Sequence, residues 1–420
     1  MTTPAQLTGD GAHSASAERA QPATDLARRL ALFALALGSF CIGTSEFASM
    51  GVIQLFSASL GIDVPEATNA VTAYALGVVV GAPLVTLAAA RLNRRTLLLA
   101  LMALFVVGNV LSAAATNLPL LMAARFISGL PQGAYFGAGA MVASYLMGPG
   151  QAGRAFAIVM TGLTVATIIG SPLATFLGQH LGWRETYLAV AALSGLAWLA
   201  IRQWLPRTAA LNGAPVTQEL SALRKGQVWG VMAVATTGIA SLFAVYTFVG
   251  PIVTDAAHLA PAMIPVALAI FGIGMTAGNV VGGRLADLFP MRGIVLGFGA
   301  ALAVLAIIAT SGQTPWVLFP ALFVLGAGLM ASIPTMQVRL TRFAPEAPSL
   351  IGAMTLAACN LGNALGAWGA GVSIDAGFGL LSAGWAGFAM TLTGLLIFAF
   401  TLINSRRLVP AADLATVSSN

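Results

Sequence analysis

One arginine constrains this chain more than any other residue. Arg125 lies inside residues 121–137, LMAARFISGLPQGAYFG, a stretch that is apolar and long enough for a helix. Gly129, Gly133 and Gly137 follow it at four-residue steps. Four residues is just over one helical turn, so the arginine and the glycines share a stripe on one face. The flanks, LPLLMAA and AGAMVASYL, carry no further charge, and a run of this length reads as membrane-spanning. A guanidinium in hydrocarbon is costly, so Arg125 is expected to face a cavity or a partner rather than lipid. It lies about eight residues beyond Asn117, a depth of about 12 Å, which is deep for a side chain that merely snorkels to the surface. The glycines admit a second backbone on the same face.

The remainder of the chain agrees. Of 420 residues, 58% are hydrophobic and 8% charged, whereas a soluble domain carries about a quarter charged. Apolar runs recur at 30–56, 67–89, 96–115, 118–146, 152–177 and 186–204. They resume at 228–254, 263–285, 293–310, 316–338, 349–374 and 380–402. Between the two sets lies PRTAALNGAPVTQELSALRKG, polar and with the chain's one lysine, which reads as a linker. The expected organisation is a cytoplasmic tail over 1–27, a six-helix bundle over 28–205, a linker over 206–226, a second bundle over 227–407 and a tail over 408–420. The fold class is therefore all-α and membrane-integral, with twelve spans in two pseudo-symmetric halves.

Twelve spans place both termini on one side. Counted that way, Arg28, Arg29, Arg91, Arg94, Arg95, Arg154, Arg202, Arg207 and every basic residue of the second half share the side of the termini. The opposite side keeps only Arg184. This asymmetry predicts cytoplasmic termini, since basic loops stay inside. The net charge of +6 is spread over short loops, which argues for topology rather than nucleic acid. Cys41 and Cys359 sit in apolar runs and read as packed small residues. No GxxxxGK[ST] stretch and no HExxH or Cys/His set is present, so an ATP-driven pump, a membrane hydrolase and a metalloenzyme lack their chemistry. The protein is expected not to be an enzyme and to need no cofactor. A repeat of six and six with a central linker is a transporter pattern, with its substrate site near the midplane between halves.

At this point the residues resemble a family. From about residue 28 to 407 the chain resembles the twelve-helix drug:proton antiporters of the major facilitator superfamily, nearest the arabinose-efflux and chloramphenicol-resistance-like permeases. The stretch from Arg125 through Gly129 to Gly133 resembles the fourth-helix motif, whose arginine the family links to proton coupling. Gly162 through Gly170 to Pro172 resembles the fifth-helix motif that marks exporters, although Ala174 and Thr175 stand where that motif ends in glycines. Gly283, Arg284 and Asp287 resemble the gating loop after the second helix of a half, and the first-half counterpart has Ala90 in place of the acid. GTSEF, Gly43 to Phe47, is typical of the narrower branch. The resemblance implies proton-driven export across a bacterial inner membrane by a carrier that functions as a monomer, with lipid, protons and a small organic molecule as its partners. A proton-coupled importer or facilitator of sugars or nucleosides shares the same fold and stays open.

Glu46 is the one carboxylate well inside a run, about ten residues from the far end of its helix, a depth of about 15 Å. That matches Arg125, so the two are expected to face one another. Burial favours the protonated carboxyl and a nearby guanidinium the ionised one, and a group held between those effects can exchange a proton. The alternative is a permanent ion pair. Pro172 is expected to bend the fifth helix. In the superfamily, helices one, four, seven and ten line the cavity, and their polar or aromatic candidates are Gln132, Tyr135, Phe243, Tyr246 and Gln337. No arginine cluster is present for a phosphate, so the substrate is expected to be neutral, cationic or amphipathic.

Overall fold

The computed structural model describes residues 25–89, 91–148, 152–211, 225–288, 292–343 and 348–408. They form helices and short turns, numbered here as rods in chain order. The first half holds α1 (Asp25–Gly51, continued by Ile53–Leu60), α2 (Val64–Ala88), α3 (Arg94–Ala114) and α4 (Leu118–Gly129, then Gln132–Met147). It ends with α5 (Ala152–Val165, a π turn Ala166–Gly170, then Ser171–Leu181) and α6 (Trp183–Trp204). The second half holds α7 (Gly226–Tyr246, continued by Val249–Pro251 and Ile252–Ala256), α8 (Met263–Leu288), α9 (Arg292–Ser311) and α10 (Pro315–Phe343). Then come α11 (Pro348–Ser373, closed by a π turn Ile374–Phe378) and α12 (Ser382–Leu408). Among the described residues, 9 helices are long and apolar enough to cross a membrane. The other rods are α4, split at Leu130–Pro131, α6 and α11. Residues 212–224 of the expected linker and both expected tails, apart from 25–27 and 408, lie outside the described residues.

Local chemistry sets the breaks. Asp63, Asn93 and Asn117 each cap a helix by accepting a backbone N–H, from Glu66, Arg95 and Leu120 respectively. Pro65 and Pro119 occupy first-turn positions where a missing N–H costs nothing. Pro131 interrupts α4 because it cannot donate to the turn before it. At Pro172 the helix widens into the π turn of Ala166–Gly170, and the Ser171 N–H reaches back to the Ala166 carbonyl. That widening stands where the sequence predicted a bend.

The two halves repeat one packing device. In the first, a Cβ on Gly77 or Gly81 of α2 would strike the carbonyl oxygen of Phe126 or Leu130 on α4. In the second, a Cβ on Gly274 or Gly278 of α8 would strike that of Phe323 or Ala327 on α10. Missing side chains at four-residue steps let backbones touch where packing, not water exclusion, drives association. Gly129 and Gly133 face α2 at Tyr74 and Ala82 in the same way. Gly137 does not. A Cβ there meets nothing within 4 Å.

The halves meet along two matched seams, α2 against α11 and α5 against α8. At one end the turn between α2 and α3 lies against the end of α6: Arg95 donates to the Leu205 and Arg202 carbonyls, the former at 3.0 Å and the latter at 2.5 Å. We call this the basic end. At the far end Arg184 donates to the Ala115 carbonyl at 3.0 Å. The far end is packed across both halves: Phe56, Trp183 and Tyr187 share one buried cluster with Val249, Ile252 and Leu268. The buried residues of a second cluster, around Leu35, Phe105 and Val159, come from the first half, with Leu356 of α11 packed against them. Side-chain bonds also cross there. Gln54 donates to Thr254 at 2.9 Å and to Asp255 at 3.5 Å, and Gln179 donates to the Pro261 carbonyl at 2.8 Å.

Candidate functional site

Arg125 is fully buried, at 0% exposure. It donates to the Ser45 hydroxyl at 2.9 Å and to the Ser45 carbonyl at 3.1 Å. The same hydroxyl donates to Asn109 of α3 at 2.7 Å. The guanidinium lies over the Tyr74 ring at 4.4 Å and near the Tyr187 ring at 5.1 Å. A desolvated cation over an aromatic face gains about 2 kcal/mol, and each hydrogen bond to a charged group about 1.5–3 kcal/mol. These contacts hold the charge where the sequence predicted a carboxylate partner.

The expected Glu46–Arg125 ion pair does not form. Among the described residues, neither lies in an ion pair; Asp25 and Arg28, at 2.8 Å, do. Neighbouring residues on a helix point about 100° apart, so Ser45 meets Arg125 while Glu46 turns elsewhere. Its Oε2 accepts Gln132 of α4 at 2.9 Å, and its Oε1 accepts Asn363 of α11 at 3.4 Å. Gln132 in turn accepts the Tyr74 hydroxyl at 2.6 Å. A chain of contacts thus runs from Glu46 through Gln132 and Tyr74 to the face of Arg125. The carboxylate sits where an amide of each half reaches it.

An aromatic cluster adjoins it. Phe47, next to Glu46, stacks on Phe243 with centroids 6.2 Å apart and meets Tyr246 edge-on at 5.7 Å; Tyr246 packs on Phe271 at 4.6 Å. Phe243 and Tyr246 therefore stand together at the junction of halves, as does Gln132. Tyr135 does not join them. Its hydroxyl donates to the Leu35 carbonyl at 2.9 Å inside the first half, which makes it a packing residue. The side chains of Gln337 and Asp287 lie outside the described residues, while Arg284 is exposed toward the end of α8. A Cβ at Gly283 meets nothing within 4 Å. Gly162 and Gly170 of the fifth-helix motif face α1, at Ala36 and Thr44, so that motif sets the approach of α5 to the helix of Glu46. Among the described residues, no His, Cys, Asp and Glu cluster is suited to a metal ion.

Sequence reasoning missed Ser45, Tyr74, Asn109 and Asn363. Asn360 and Asn363 were the readable signal, since two amides one turn apart in an apolar run demand partners.

A family model for the Major Facilitator Superfamily matches residues 35–367. The chain belongs to that superfamily. Membership makes it a multi-pass membrane transporter and not an enzyme. Among its superfamily relatives is the inner membrane transport protein YdhP of Escherichia coli (strain K12), 38% identical over 83% of this chain and 90% of that one. The chloramphenicol resistance protein of Streptomyces lividans is 33% identical over 88% of this chain and 95% of that one. The fold is similar to a crystal structure of a bacterial homologue of the human lysosomal transporter Spinster in an inward-facing, unoccupied conformation. The TM-score is 0.70 at 15% identity, covering 91% of this chain and 98% of that one.

Proposed function

We propose that this superfamily member is an inner-membrane carrier that exports a small organic molecule in exchange for protons, by alternating access of two six-helix halves. The observation that carries the reading is Glu46, a buried carboxylate without an ion-pair partner, bonded by one amide from each half. A carboxylate at such a junction feels every rocking of one half on the other, so its protonation follows the cycle. Arg125 tunes that proton affinity through space and through Tyr74 and Gln132. The proton gradient supplies the work. Phe243, Tyr246 and Gln132 line the path of a neutral, cationic or amphipathic substrate.

Export is favoured over import by the resemblance of Gly162 through Gly170 to Pro172 to the exporters' fifth-helix motif and by the kinship with a chloramphenicol resistance protein. In this reading the basic end is cytoplasmic, residues 206–226 tether the halves there, and Gly283, Arg284 and Asp287 gate it. One chain suffices for the cycle. Everted membrane vesicles with an acidified interior and a pH-reporting dye test the reading. Addition of chloramphenicol, other neutral and cationic drugs, or pentoses is expected to raise internal pH for the true substrate, and Glu46→Gln is expected to abolish the rise. Labelled solute that equilibrates with no proton movement in any case would replace the exchanger by a facilitator.

A further inference from the structure

The two amides on Glu46 are not equivalent. Gln132 is pinned at both ends, with its N–H on Glu46 and its oxygen under the Tyr74 hydroxyl. Turning it over would set oxygen against an ionised carboxylate and would force the Tyr74 hydroxyl to accept where it now donates. Asn363 is pinned at one end only. Its Nδ2 reaches Glu46, while its Oδ1 is buried and has no hydrogen-bond partner among the described residues. The free atom must be the oxygen, because an ionised carboxylate only accepts and so draws the amide nitrogen. The residue is 1% exposed, and a buried carbonyl without a donor costs about 1–3 kcal/mol.

Two donors can fill that vacancy. Protonated Glu46 can do so itself, once the Asn363 amide turns by half a turn and receives the carboxyl O–H. A bound molecule can do so with an N–H of its own, and then the amide N–H stays on the ionised carboxylate. One amide cannot serve both, because an N–H, unlike a hydroxyl, cannot accept from the turned amide nitrogen. Gly362 and Gly366, on either side of Asn363, pack on α7 at Ala240, about one turn before Phe243. The other ionisable groups within electrostatic reach of Glu46 are Arg125 on α4, Tyr74 on α2, Tyr246 on α7 and Cys359 on α11. None is a second carboxylate.

We infer that the exported molecule carries an N–H donor that bonds the Asn363 amide oxygen, and that this bond locks the amide on Glu46 so that substrate and proton exclude one another. The inference rests on the exchange reading above. As substrate binds, the O–H bond of Glu46 breaks and its proton passes to water on the open side. The apolar body of the substrate lies on the neighbouring rings. Asn363 is thus both a substrate contact and the positioning residue that couples it to Glu46.

The test uses the full-length protein in nanodiscs, weakly buffered, with a pH indicator. The probes are chloramphenicol, which bears an amide N–H, and tetraphenylphosphonium, which bears neither N–H nor O–H. Chloramphenicol is expected to release protons on binding, and tetraphenylphosphonium to release none. Asn363→Leu is expected to cut the release about tenfold, the equivalent of one lost hydrogen bond, and Asn363→Gln to restore part of it. In both variants the carboxyl infrared band that vanishes in Glu46→Gln should still titrate, which reports a folded site. Release unchanged by Asn363→Leu, or release by tetraphenylphosphonium alone, overturns the inference and leaves proton exchange standing. A probe that binds the wild type while no probe releases protons overturns the exchange reading and this inference with it.

Discussion

Arg125 lies deep in an apolar bundle and is held by a serine and two tyrosine rings rather than by a carboxylate. The flat guanidinium suits that slot, since it bonds Ser45 with two nitrogens while its face covers Tyr74. A lysine keeps the charge but is a single point with no stacking face. Arg125→Lys is expected to slow exchange about tenfold or more in the vesicle assay, the loss of at least one charged hydrogen bond. Ser45→Ala, which leaves the carbonyl bond in place, is expected to slow it less. Glu46 and Arg125 were legible in the sequence because a charge inside an apolar run has few places to go. Their partners were not. Depth follows from counting residues, but the rotation of one helix against another does not, and that rotation turned Glu46 from Arg125 to Asn363. Serines hide for a further reason: Ser39 and Ser194 bond carbonyls of their own helices at Leu35 and Val190, and nothing in the sequence marks Ser45 as different.

At the scale of helices, the glycines of α2 and α4 carry the first half as those of α8 carry the second. Gly129→Ala is expected to destabilise the protein by about 1–3 kcal/mol, because its Cβ meets the Tyr74 carbonyl and backbone cannot step aside. Gly137→Ala is expected to be neutral, since open space lies beyond it. Midpoints of heat-induced aggregation in detergent, followed by size exclusion, would separate the two. The four-residue spacing made the close approach of α4 to a partner legible, while the open space beside Gly137 is a tertiary fact that spacing does not show. Pro131 and Pro172 were equally visible, yet one broke its helix and the other widened it. Each removes one backbone donor, and the neighbouring helices decide how the chain absorbs the loss.

Over the whole molecule, the recurring apolar runs foretold an all-helical bundle of long apolar rods. The seams between halves were hidden, because a long apolar helix reads alike whether it faces lipid or another helix. The far end is where the halves are tied, through Gln54 to Thr254 and Asp255 over a shared aromatic and aliphatic core. Loss of one such bond is worth about 1 kcal/mol, or about a fivefold shift between closed and open forms. Gln54→Ala removes the bonds to both Thr254 and Asp255 and is expected to produce at least that shift, read as a larger share of long distances between spin labels at the exposed Ser59 and His258. The bonds that cross this end join neutral donors to hydroxyl, carbonyl and a single carboxylate, with no pair of opposite full charges among them. Raising salt from 0.1 M to 1 M shortens the reach of charge from about 10 Å to about 3 Å, and here it finds little to screen. The far-end seal should therefore hold equally well in dilute and in briny surroundings.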